Sequence, residues 1–187
     1  MVSLTIFDSI YDNKTNKRMD YTSFDEFEAI LYKLSESTKY PTKQDAPLLS
    51  PAIYQPDTTR ANDNVVGWGG FGILDIDDYE GDLKDIESKY DKYRYVCYST
   101  ASSTVESPKF RLVFPLTCNV DKDDIKHFWF ALNKEIGDIA DAQTKDLSRM
   151  YYVPAKYKNS FNFIFSHDGD TMDPHKLMEQ YPYVKPN

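Results

Sequence analysis

Apolar and polar residues alternate along the chain in patterns that change near residue 65. Before that point, residues 2–7 have the pattern of a strand, and Ser23 followed by Glu26 is typical of the first turn of a helix. The predicted helix carries an apolar stripe suited to core packing, made of Phe24, Phe27, Ile30, Leu31 and Leu34. Residues 35–64 are rich in Pro, Ser, Thr, Asn and Asp, which predicts a long ordered loop.

The pattern after residue 65 is more regular and switches between the strand period and the helix period. It predicts the order strand, helix, strand, strand, helix, strand, at residues 68–76, 82–93, 94–100, 109–116, 121–136 and 149–153. This order is that of split β-α-β folds, in which an antiparallel sheet carries its helices on one face and leaves the other face for function. A further strand at 161–165 and a helix at 174–181 follow.

The length of 187 residues suits a single domain. We therefore predict an α+β fold that spans residues 1–187. Residues 1–65 would form a small N-terminal α/β unit, and residues 66–170 an RNA-recognition-motif-like (split β-α-β) antiparallel sheet packed beside it. Residues 171–187 would form a C-terminal helix and tail.

The balance of charge excludes a general nucleic-acid coat protein. The chain has 22 Lys and Arg residues against 30 Asp and Glu residues, a formal net charge of −8. Binding of nucleic acid would therefore need a local group of basic residues. Cys97 and Cys118 lack the spacing of metal ligands, which indicates a reduced, cytoplasmic protein. The sequence shows neither a membrane span nor a signal peptide, so no membrane partner is expected.

Two aspartates at the end of the strand 68–76 are the first candidates for chemistry. Asp75 and Asp77 point to the same face because side chains alternate along a strand. Neighbouring carboxylates repel each other unless a divalent cation lies between them, and oxygen ligands suit Mg²⁺ or Mn²⁺. Taken alone, an Asp-x-Asp pair is more often an acidic strand end than a metal site.

Basic residues follow on the strand 109–116. Lys109 and Arg111 share one face, because an apolar row of Phe110, Leu112 and Phe114 occupies the core face. The first and third strands of a split β-α-β fold are neighbours, so these cations and the two aspartates are expected on one surface. The pairs could bind metal and triphosphate, or they could form cross-strand salt bridges.

Hydroxyl residues and further acids complete the set of candidates. Ser99, Thr100 and Ser102 belong to a small-residue loop that either offers donors to phosphate or is only a hairpin tip. Asp141 or Asp146 could supply a third carboxylate, and Arg149 could bind phosphate or pair with an acid.

Four segments, at 74–78, 98–103, 108–116 and 141–154, resemble in order and spacing the motifs of primase-polymerases. These enzymes form the archaeo-eukaryotic primase superfamily, here in the form carried by phages and plasmids, and the resemblance covers roughly residues 51–155. It implies a catalytic RNA-recognition-motif-like sheet beside a second α/β unit. One feature departs from the family, because its second motif is Ser-x-His and Ala101 stands at the position of the histidine.

The resemblance implies a DNA-dependent nucleotidyltransferase that makes or extends primers on single-stranded DNA during phage or plasmid replication. Asp75, Asp77 and Asp141 would hold two Mg²⁺ or Mn²⁺ ions, with Asp146 in reserve for Asp141. The residues that bind the phosphates of an NTP or dNTP would be Ser99, Thr100, Ser102, Lys109, Arg111 and Arg149, within a basic surface that could include Lys43 or Arg60. A helicase domain or another replication protein would be the partner, in the cytoplasm of a bacterial host.

Two other functions compete with this interpretation. A catalytically silent replication-initiation module would keep the fold to bind DNA, and the missing histidine favours it. A metal-dependent phosphohydrolase or nuclease could also be built on an Asp-x-Asp pair.

Overall fold

The first sheet of the protein is built around its N-terminal strand. In the computed structural model, which describes residues 1–140 and 146–183, β1 (Val2–Phe7) lies between β2 (Arg18–Tyr21) and β3 (Leu48–Ser50). Helix α1 (Phe24–Ser35) begins as predicted, because the Ser23 side chain accepts a hydrogen bond from the Glu26 amide at 3.4 Å. Three residues of its apolar stripe, Phe24, Phe27 and Leu31, are buried, and Ile30 and Leu34 are partly exposed.

The central sheet carries the residues singled out in the sequence. Its strands are β6 (Phe71–Ile76), β7 (Tyr95–Ser99), β8 (Phe110–Pro115) and β11 (Ile164–His167), in the order β11-β7-β8-β6 with every described pair antiparallel. Between β6 and β7 lies the short helix α2 (Ile86–Lys89), preceded by a 3-10 turn at Leu83–Asp85. The predicted α+β class with antiparallel sheets is therefore confirmed.

Both faces of the central sheet are covered. On one face Leu74, Leu112 and Phe114 join a core with helix α3 (Ile125–Ile136). On the other face, Ile73 and the apolar residues beside it pack against α1 and the N-terminal sheet. The predicted open face is thus wrong, because α1 and the N-terminal sheet cover it.

Smaller elements complete the structure. The strands β4 (Ala52–Tyr54), β5 (Val65–Trp68) and β9 (Val120–Asp121) form a third sheet. Helix α4 (Pro174–Gln180) lies near the C-terminus and begins at the side-chain cap of Asp173. No helix in the described ranges is long and apolar enough to cross a bilayer.

The predicted fourth strand of the split β-α-β unit does not join the central sheet. That segment forms β10 (Tyr151–Tyr152), which pairs with β3 in the N-terminal sheet. The outer place beside β7 is taken by β11, and β6 lies at the edge of the described sheet rather than in its centre. Strand order depends on tertiary packing, which the local pattern of apolar residues does not encode. The proposed division at residues 65 and 170 stays a prediction.

Other element boundaries also differ from the predictions. The predicted loop 35–64 contains strands β3 and β4, whose apolar runs are only three residues long. The predicted strand 68–76 is interrupted by Gly69 and Gly70, and Gly70 adopts a φ of 84°. At Gly69 a Cβ atom would lie 2.1 Å from the carbonyl oxygen of Ser3, so only glycine allows β1 to approach this closely.

Candidate functional site

A cavity of about 200 Å³ opens where β6 ends, β8 begins and the 100–102 loop follows β7. It brings together most of the residues predicted from the sequence, and its lining consists of Lys43, Asp75, Asp77, Thr100, Ala101, Ser102, Lys109, Arg111, Arg149 and Tyr152. Four cationic side chains therefore face two carboxylates, in a chain whose net charge is −8. This excess of positive charge favours the approach of an anion.

Asp75 and Arg111 form a buried ion pair in the wall of the cavity. The two residues are directly opposite each other in the β6–β8 register, and the Arg111 Nε donates to Asp75 Oδ1 at 2.5 Å. Their side chains are only 8% and 11% exposed. The structure therefore shows the predicted alternative of a cross-strand salt bridge for this pair. The attraction between the two charges offsets the desolvation free energy that either charge would cost if it were buried alone.

Arg111 is held on its other sides as well. Its Nη1 donates to the carbonyl oxygen of Tyr152 at 3.0 Å, and its guanidinium lies over the rings of Tyr98 and Tyr151. Burial alone would lower the pKa of Arg111, but the charge of Asp75 outweighs this effect and raises the pKa. Arg111 is therefore a fixed positive charge in a rigid aromatic frame.

Asp77 lies one residue beyond the end of β6 and is partly exposed at the cavity. Asp75 and Asp77 thus line the same cavity, as alternation along the strand predicted. Their surroundings differ, since Asp75 is buried against Arg111.

The backbone of Lys109 is positioned by the hydroxyl loop, the stretch of serine and threonine residues at 99–104. Its amide donates to Ser103 Oγ at 3.2 Å, and its carbonyl oxygen accepts from the Thr100 amide at 2.9 Å. Lys109 lines the cavity together with Asp77, whereas Arg111 is engaged with Asp75.

The hydroxyl loop is only partly directed at the cavity. Thr100 and Ser102 line it, but Ser99 is 2% exposed and does not. The Ser99 Oγ instead accepts hydrogen bonds from the Phe163 amide at 2.7 Å and from Asn162 Nδ2 at 3.1 Å. Ser99 therefore holds the end of β7 to the segment before β11, a role that depends on tertiary contacts and has no local sequence signal.

The remaining predicted cations separate into two groups. Lys43 and Arg149 line the cavity, and the Arg149 Nε is buried with no hydrogen-bond partner within the described residues. Arg60 does not line it and instead lies over the ring of Phe7.

The third carboxylate cannot be placed. Asp141 lies outside the described residues, and Asp146 is exposed and does not line the cavity. Within the described ranges, no group of three or more His, Cys, Asp or Glu side chains is arranged to hold a metal ion. The predicted metal site therefore stays a prediction.

Comparisons with known proteins are consistent with this architecture. A solved structure of the AEP domain of the cyanophage S-2L primase-polymerase (PrimPol) is similar over 97% of this chain and 90% of that chain. The TM-score is 0.56 and the sequence identity 11%, a level at which the likeness shows the fold alone. It confirms the resemblance to phage-type primase-polymerases for the fold.

A search of curated protein sequences gives no match. The family model of the VapE N-terminal domain matches residues 55–186, which include every residue of the cavity except Lys43. Since this match covers more than half of the sequence, the chain belongs to the VapE N-terminal domain family.

Proposed function

We propose that the protein is a primase-polymerase-like nucleotidyltransferase that acts on single-stranded DNA in the replication of a phage or plasmid. The observation that carries the proposal is the cavity of about 200 Å³, called the site cavity from here on, where four cations, two carboxylates and the hydroxyl loop meet. It lies at the strand ends of a fold similar to that of a primase-polymerase. Lys43, Lys109 and Arg149 would bind the phosphates of an NTP or dNTP. Thr100 and Ser102 would add hydrogen bonds.

The order of the central strands supports the finer part of the fold prediction. Strand β8 lies between β6 and β7, and α2 connects those two strands. We propose that these elements are a shortened split β-α-β unit of the RNA-recognition-motif-like kind.

The donor set fits a divalent cation in part. Asp75 and Asp77 supply the oxygen ligands that Mg²⁺ or Mn²⁺ prefers, and Asp141 stays the proposed third ligand. When bound, such an ion would offset the charge of the triphosphate and lower the pKa of a primer hydroxyl.

A silent DNA-binding module of the same fold is the second candidate function. Two observations favour it: Asp75 is already neutralised by Arg111, and Ala101 has no side-chain donor. A helicase domain as partner, and action in the cytoplasm of a bacterial host, stay predictions under either function.

Nucleotide binding by the isolated protein tests the proposal. We expect dNTP binding with Mn²⁺ in calorimetry, and incorporation on a single-stranded template. Lys109→Ala should weaken dNTP binding by roughly tenfold or more, since a hydrogen bond to a charged group contributes about 1.5–3 kcal/mol. Lys126→Ala, at an exposed position on α3, is the matched control.

Two other results would contradict the proposed transferase. Binding of DNA and dNTP without incorporation, with either Mg²⁺ or Mn²⁺, would identify the silent module. A protein that binds neither nucleotide nor DNA at low salt would contradict both functions.

The position of Ala101 gives a second test. Because four cations already surround the cavity, we expect Ala101→His to change incorporation by less than about threefold, well below the contribution of one charge-assisted hydrogen bond. Ala101 is partly exposed in a turn, so thermal stability should hardly move. A rise in incorporation of ten times or more would instead show that no other residue has replaced the hydrogen-bond donor that the family histidine provides.

A further inference from the structure

A second cavity of about 310 Å³ adjoins the site cavity. The two cavities share Lys43, Ala101 and Ser102 in their walls, so a ligand in one comes into contact with the same loop as a ligand in the other. The second cavity extends from this shared wall toward Thr42 on one side and Lys158 on the other. The two cavities are therefore neighbours with one shared wall.

The second cavity differs from the first in its charge. Its described lining includes Lys43 and Lys158 but no carboxylate, although the chain has 30 acidic residues. The nearest acid along the chain, Asp45, is turned to Thr42, whose amide and Oγ1 both donate to it at 3.0 and 2.8 Å. Because Thr42 donates to Asp45, the groups that the cavity offers to an anion are the ammonium groups of Lys43 and Lys158 and the hydroxyl of Ser102, and its described lining contains no carboxylate.

The wall of the second cavity is preorganised. Asn159 holds a left-handed turn with φ 61°, and Asn162 Oδ1 accepts from the Tyr157 amide at 2.8 Å. The same Asn162 donates from Nδ2 to the Thr100 carbonyl oxygen at 3.0 Å. Ser160 Oγ lies 3.3 Å from the carbonyl oxygens of Thr100 and Ser103. Residues 159–162 thus hold both the turn that carries Lys158 and the 100–103 loop, part of which lines both cavities.

We propose that the second cavity binds the sugar–phosphate backbone of a single DNA strand directly beside the nucleotide site, an inference that rests on the proposed function. The strand carries one negative charge per nucleotide, which matches a cavity lined by lysines without carboxylates. The first cavity contains Asp75 and Asp77, which would hold the cation of a triphosphate, and is therefore assigned to the nucleotide. The shared loop residues then set the spacing between strand and nucleotide.

Lys158 allows a test, since it is exposed and lines the second cavity but not the first. Binding of a fluorescent oligothymidylate of roughly 12 nucleotides is followed by anisotropy at several salt concentrations, and dTTP binding with Mn²⁺ by calorimetry. We expect Lys158→Ala to weaken oligonucleotide binding by about fivefold. The salt dependence should fall by about 0.7 in slope. Binding of dTTP should stay within about twofold of the wild type, and Lys126→Ala should match the wild type in both measurements.

Each other outcome overturns the proposal. If dTTP binds and Lys158→Ala and Lys126→Ala affect the oligonucleotide equally, the strand lies elsewhere and the proposed function still stands. If Lys158→Ala weakens dTTP as much as the oligonucleotide, the second cavity belongs to the nucleotide and not to the strand. If neither ligand binds the wild type, the proposed function fails together with this inference.

Discussion

Asp77→Asn is expected to reduce metal-dependent nucleotide incorporation by roughly 100-fold or more, while the protein keeps its fold. Asp77 is partly exposed at the mouth of the site cavity, beyond the last residue of β6. Asparagine preserves the shape of the side chain but removes the charge that would hold a divalent ion, whose contribution to transition-state stabilisation is several kcal/mol. Primer extension on a single-stranded template, with Mg²⁺ and with Mn²⁺, measures the loss.

The neighbouring residue supplies the matched control for this experiment. Asp78 is exposed and does not line the cavity, so Asp78→Asn makes the same change of charge one residue further along. Equal activities of the two variants would exclude Asp77 from the reaction. Equal thermal unfolding of wild type and Asp77→Asn is required before a loss of activity is assigned to chemistry.

Asp75→Ala is expected to lower the free energy of unfolding by about 3–5 kcal/mol, because it leaves the Arg111 guanidinium buried without its counter-charge. For a chain of this size the melting temperature should fall by roughly 10 °C. Urea and thermal unfolding measure the change. A decrease below about 1 kcal/mol would contradict an ion pair that is integral to the fold.

A double variant separates the two roles of the pair. Asp75→Leu combined with Arg111→Met replaces both charges by apolar side chains, and such replacements of buried pairs are often neutral in stability. We expect it to regain most of the stability lost in Asp75→Ala and to remain inactive. An active double variant would show that the pair serves the fold alone.

The sequence predicted the composition of the site better than its electrostatics. Strand alternation placed Asp75, Asp77, Lys109 and Arg111 on one surface, and the structure brings them to one cavity. Which charges pair depends on the register between β6 and β8, and it is this register that sets Arg111 opposite Asp75. Register is determined across the sheet and not along one strand, so the local pattern left both alternatives open.

The sequence also missed residues that act through the backbone. Tyr152 contributes its carbonyl oxygen, which accepts from both Arg111 and Tyr98, and no side-chain pattern reveals such a role. Asn162 was overlooked because its three hydrogen bonds reach residues up to 63 positions away. Elements with long apolar stripes, such as α1 and α3, were predicted well, because their burial is encoded in consecutive turns.

The pairing of β10 with β3 has a consequence for the timing of folding. One edge of β3 pairs with β1, but the partner of its other edge is made only at Tyr151–Tyr152, roughly 100 residues later in the chain. At ribosomal speeds of about 5–20 residues per second, the apolar edge of β3 waits for about 5–20 s before its partner emerges. During that interval the edge can pair with other nascent chains, so slow translation or crowded polysomes should lower the yield of native protein.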